Sequence, residues 1–87
     1  MRVLIKDEDD ILRVIEAVDI YYIDEIAKGG NGLYIVPLRT DYLDIFIPNI
    51  DKYTSNNICN LLLEKEFVDL SMYSYKTIPE DEEDKYI

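Results

Sequence analysis

Asp7-Glu8-Asp9-Asp10-Ile11-Leu12-Arg13-Val14-Ile15-Glu16-Ala17-Val18 is the stretch whose reading decides the fold. Taken as a helix it is well formed. Asp7 caps the N-terminus, and Glu8, Asp9 and Asp10 fill a first turn whose free N–H groups attract negative charge. Ile11, Leu12, Val14, Ile15 and Val18 follow at helical spacing and make one apolar stripe. The run before it, Arg2-Val3-Leu4-Ile5-Lys6, is short, β-branched and bounded by charge, which predicts a strand feeding that helix.

Downstream, residues 19–27 read as a strand with Ile20, Tyr22 and Ile26 on one face and Tyr21 and Ile23 on the other. Lys28-Gly29-Gly30-Asn31-Gly32 is a turn signal, since glycine and asparagine accept positive φ. Leu33 to Leu38 pairs back as the second strand of a hairpin, with Pro37 near its end or at a bulge. After Arg39-Thr40-Asp41, the run from Tyr42 to Ile47 alternates, with Leu43, Ile45 and Ile47 inward and Asp44 outward. Thr54 or Ser55 caps a second helix carrying Ile58, Leu61 and Leu62 on its buried side. Residues 67–76 make a last strand, with Val68, Leu70 and Met72 on one face and Tyr73 and Tyr75 on the other, and Pro79 ends the ordered part.

The predicted order is β-α-β-β-β-α-β. It describes an α+β domain over residues 1–78, a mostly antiparallel sheet of about five strands with two helices on one face, in a ferredoxin-like variant. Residues 79–87 form an acidic, mobile C-terminal tail, because consecutive acids repel one another and bury nothing.

Composition narrows the function. Nineteen acidic side chains face nine basic ones, giving a formal charge of -10 over 87 residues with no histidine. Such a surface attracts basic partners and repels nucleic acid. The commonest general base and metal ligand is missing. The single cysteine, Cys59, has no histidine to activate it and reads as a small core thiol in a reducing cytosol. The glycines of the 28–32 turn lie between strands, so they cradle no phosphate. Asp7, Asp9 and Asp10 could hold a hard cation, but they lack the central glycine and distal glutamate of a calcium loop, and helix capping accounts for them. No signal peptide, membrane span, catalytic set, cofactor or metal site is read from the chain, and a cytoplasmic location is expected.

Eight tyrosines against two phenylalanines and no tryptophan point the same way. Tyr21, Tyr73 and Tyr75, placed on the helix-free face, would form an aromatic platform rimmed by carboxylates. That surface suits lysine- and arginine-rich protein through cation–π contacts and charge-assisted hydrogen bonds. A base-stacking platform would need positive charge around it. The candidate partner-binding residues are Asp7, Glu8, Asp9, Asp10, Tyr21, Tyr73, Tyr75, Glu80, Asp81, Glu82, Glu83 and Asp84. A domain of this size spans roughly 30 Å, over which DNA carries about 18 charges. Copying a nucleic-acid backbone therefore requires the carboxylates to gather on one face.

With its short chain, α+β plan and acidic runs at Asp7–Asp10 and Glu80–Asp84, the sequence resembles the small acidic inhibitors encoded by phages and other mobile elements, such as anti-CRISPR proteins. The likeness is one of general character, with no aligned motif. It implies a stoichiometric, non-enzymatic inhibitor that occupies a nucleic-acid-binding surface on a host defence nuclease complex. Two other readings fit the same composition: an acidic antitoxin or immunity protein that neutralises a basic toxin, and a structural module that self-associates as a homodimer.

Overall fold

A computed structural model describes residues 1–25 and 30–78 of the chain. The acidic run closes a hairpin instead of opening a helix. Strand β1 (Arg2–Lys6) leads into it and β2 (Leu12–Glu25) leads out, paired antiparallel from Arg2 opposite Glu16 to Lys6 opposite Leu12. One carboxylate oxygen of Asp7 accepts from the N–H groups of Asp9 at 2.9 Å and Ile11 at 3.0 Å. Asp10 adopts a left-handed φ of 61° that aspartate tolerates. An aspartate that satisfies backbone donors two and four residues on serves a turn as well as a cap, which is why the acids read both ways. The apolar residues decide. Ile11, Val14, Ile15 and Val18 are β-branched and stiff, and burial alternates along the strand: Ile15 and Ala17 are covered while Leu12 and Val14 are open.

After β2 come β3 (Gly30–Pro37), β4 (Asp44–Pro48), helix α1 (Lys52–Lys65), β5 (Phe67–Asp69) and β6 (Lys76–Ile78). They form one six-stranded sheet in the order β5-β1-β2-β3-β4-β6. The pairs are antiparallel except β1–β5, which is parallel, so the sheet is mixed. The two-helix, five-stranded ferredoxin-like arrangement is thus corrected to one helix and six strands. The single strand predicted over residues 67–76 is instead β5 and β6, at opposite edges of the sheet. Between them Asp69 turns the chain by accepting from the Ser71 N–H at 2.9 Å, and Met72 is left exposed.

Strand β2 spans both halves of the sheet, pairing with β1 through its first half and with β3 through its second. A bulge lies between Ala17, opposite Pro37, and Asp19, opposite Val36. Pro37 has no N–H to continue the ladder, and the extra residue, Val18, turns outward. One face of the sheet is aliphatic: Val3, Ile5, Ile15, Ile20, Leu33, Ile35, Ile45 and Ile47 meet Ile58 and Leu62 of α1 together with Ile50, Val68 and Leu70. Asp51, rather than Thr54 or Ser55, caps α1 by accepting from the Thr54 N–H at 2.7 Å. Ser55 faces the core one turn in, while Leu61, predicted inward, is exposed.

Candidate protein-binding surface

On the face away from α1, cross-strand register lines up Tyr21, Tyr34, Phe46 and Lys76 across four strands. The Tyr21 and Tyr34 rings stack with centroids 5.3 Å apart, and the Lys76 ammonium sits 5.6 Å over the Phe46 ring. The Tyr34 hydroxyl donates to the Asp44 carboxylate at 2.7 Å. Phe46 lies over Gly32, where an added Cβ would fall 2.8 Å from the ring and collide with the Ile47 carbonyl oxygen. Only glycine leaves room for that aromatic to lie flat.

Tyr21 therefore occupies the predicted face, but the platform predicted for it does not assemble. Tyr73 and Tyr75 pack against the aliphatic core on the helix-covered side. The cause is the split of the last strand, which carries residues 70–75 from one edge strand to the other on the helix-covered side. Burial pushes the Tyr75 hydroxyl pKa up, and the nearby charges of Asp7 and Glu8 push it the same way. Tyr42, read from the sequence as the start of the alternating run, stands in the β3–β4 connection beneath the Arg39 guanidinium, 4.9 Å from its ring centroid.

Two groups of acids flank the open part of β2, while Asp41, Asp44, Asp51, Glu64, Glu66 and Asp69 lie on other elements. Glu8, Asp9 and Asp10 project from the β1–β2 turn, and Asp19, Asp24 and Glu25 from the second half of the strand; all are exposed. The described residues hold three ion pairs, and none engages these six carboxylates. Asp7 pairs with Arg13 at 2.6 Å, Asp41 with Arg39 at 2.9 Å, and Glu16 with the N-terminal amine at 2.8 Å. The Arg13 hydrogen bond, followed by the Ile11 N–H, holds the Asp7 carboxyl below the usual carboxylate range. Between the two acidic groups, Leu12, Val14 and Val18 leave more than half of their surface open, and Tyr21 is also exposed. Glu80 to Asp84 lie outside the described residues, as do Pro79 and the predicted tail.

A cleft of about 340 Å³ opens beside the first half of β2. Ile5, Val14, Ile15, Leu43 and Ile45 give it an apolar lining; Arg13, Asp41, Tyr42, Tyr75 and Thr77 complete it. Leu43, predicted inward, borders this opening. The cleft escaped sequence reasoning because it exists only once β2 is a strand and β6 has crossed to the far edge. Pro37, which stops β3 short, was its one local signal.

Cys59 is half-buried on α1, and its thiol points at the Ile20 carbonyl oxygen, 3.8 Å away. Burial, then the charge of Asp19, pushes its pKa up, which disfavours the nucleophilic thiolate. Among the described residues no group of three or more acidic, cysteine or histidine side chains is placed to hold a metal ion. Nor is any helix among them long and apolar enough to cross a membrane. No family model, curated protein or solved structure matches this chain.

Proposed function

We propose that this protein acts by binding, with no chemistry of its own, as a stoichiometric inhibitor that docks on a basic, nucleic-acid-binding protein. The observation that carries this reading is the exposed surface of β2, where carboxylates that no ion pair among the described residues engages flank open apolar side chains. Opposite charge would steer a cationic partner to the acidic ends, and burial of Leu12, Val14, Val18 and Tyr21 would slow its release. The resemblance to phage-encoded acidic inhibitors makes a host defence nuclease complex, met in the cytosol, the target class to try first.

The spacing favours a mixed acidic and apolar interface over a copy of a phosphate backbone. Asp10 and Asp19 are nine residues apart in the chain, a span of at most roughly 30 Å, and Glu16 between them is already paired with the N-terminal amine. DNA would place a charge about every 1.7 Å along that path.

The test is capture on immobilised protein from a nuclease-treated bacterial lysate. A basic nucleic-acid-binding protein should be retained at low salt, released as salt rises, and lose its nucleic-acid binding when an equimolar amount of this protein is added. Retention that survives replacement of Asp19, Asp24 and Glu25 by lysine would overturn the reading.

A further inference from the structure

Backbone hydrogen bonds show which way each residue of β2 points. The Ala17 N–H donates to the Met1 carbonyl and the Ile11 carbonyl accepts from the Asp7 N–H, so the odd-numbered residues from 11 to 17 are turned toward β1. The even-numbered residues are turned the other way, and the Glu16 carbonyl duly accepts from the Leu38 N–H at 2.9 Å on the β3 side. There the ladder stops, because β3 ends at Pro37. Among the described residues the outward N–H and C=O groups of Leu12 and Val14 have no hydrogen-bond partner. Both residues are 57% exposed, and the cleft lined by Arg13, Val14 and Ile15 runs along this edge.

An unpaired strand edge is a template for another strand, and proteins usually blunt it. The outermost strands here, β5 and β6, are blunted by being three residues long. The edge at Leu12 and Val14 belongs to a 14-residue strand and has no such protection.

We infer that this edge takes up an extended segment of a basic partner protein, which adds a strand to the sheet. The inference rests on the binding role proposed above and names where and how the partner engages. Main-chain bonds to Leu12 and Val14 would hold the segment, and alternation of its side chains would set its composition. Every second residue would enter the cleft against Ile5, Ile15, Leu43 and Ile45, which calls for apolar side chains. The residues between would lie over Leu12 and Val14 with their ends toward the Glu8–Asp10 turn and Asp19, which suits the apolar stem and charged head of lysine or arginine. Charge selects this occupant over a second copy. Antiparallel self-pairing about Val14 would bring the Glu8–Asp10 turn of one molecule toward Asp19 of the other, and each carries a net charge of -10.

The test is an NMR titration of the full chain with a synthetic peptide of alternating lysine and valine. The Leu12, Val14 and Glu16 amide signals should shift and gain protection from solvent exchange. Val14→Pro, which removes an outward donor and no bond to β1, should weaken the peptide about tenfold or more, or by roughly 1.4 kcal/mol. Should that variant fail to fold, the exchange measurement on the unaltered chain decides alone. Salt-sensitive binding with shifts confined to Glu8–Asp10 and Asp19–Glu25 overturns strand addition while leaving the basic-partner reading intact. Protection of the same amides in the free protein, rising with its concentration, gives the edge to a second copy and overturns the inference. So does absence of binding.

Discussion

The two faces of the sheet are stabilised in different ways. Against α1, branched aliphatic side chains interlock around Leu62 and Ile35, and the fit depends on volume. On the other face an aromatic row runs from the exposed ring of Tyr21 to the ammonium of Lys76. It depends on register, on one hydroxyl-to-carboxylate bond and on the missing side chain at Gly32. The first arrangement tolerates chemistry that preserves size. The second tolerates very little, because each group is fixed by its neighbour on the next strand.

Leu62→Ala should give the largest effect, a loss of about 3–5 kcal/mol in denaturant unfolding, because it opens a cavity beneath the only helix among the described residues. The Tyr21–Tyr34 stack should persist in its near-ultraviolet dichroism; collapse of that signal together with the core would mean the two faces are one cooperative unit. Gly32→Ala should cost about 3 kcal/mol, the upper end of overpacking penalties, since the new methyl meets backbone that cannot swing aside. An effect below about 1 kcal/mol would show that Phe46 moves freely and that the row does not need a bare glycine beneath it. Tyr34→Phe keeps the stack and removes the bond to Asp44, so about 1 kcal/mol should be lost. Ser55→Ala has the opposite sign. Its hydroxyl is buried on the helix-covered face with no hydrogen-bond partner among the described residues, and removing it should raise stability by about 1 kcal/mol.

The smallest effect is electrostatic. Asp7 is held below the ordinary carboxylate range, so its contribution is complete above about pH 4 and is lost as pH falls through its folded value. Asp7→Asn should therefore flatten the acid-side decline in melting temperature. An unchanged acid limb would remove the Arg13 pair from the stability of the hairpin.

Sequence alone placed the second half of β2, its antiparallel partner β3, and the inward Ile45 and Ile47 of β4, because alternation there is bounded by glycine and proline. It misread Ile11 to Val18, where apolar residues lie on both faces of a half-open strand and so imitate a helical stripe. The exposed Leu12 and Val14 are the source of that confusion. Those same two residues border the edge that the sequence could not reveal, since an open edge depends on where a neighbouring strand stops. Tyr21 could be assigned to its face from alternation within one strand. Tyr73 and Tyr75 could not, because their side of the sheet is set by a turn at Asp69 that sends the chain across the molecule.

The parallel contact between β1 and β5 joins residues at nearly opposite ends of the described chain, Val3 beside Val68. Closing so long a loop is entropically late, whereas β2, β3 and β4 form a local meander. The order of assembly should follow: the meander forms first, α1 packs on it, and β1 is clamped by β5 only at the end. A pulse-labelling refolding experiment should find the Leu4 and Val68 region protected last, and early protection there would reverse that order.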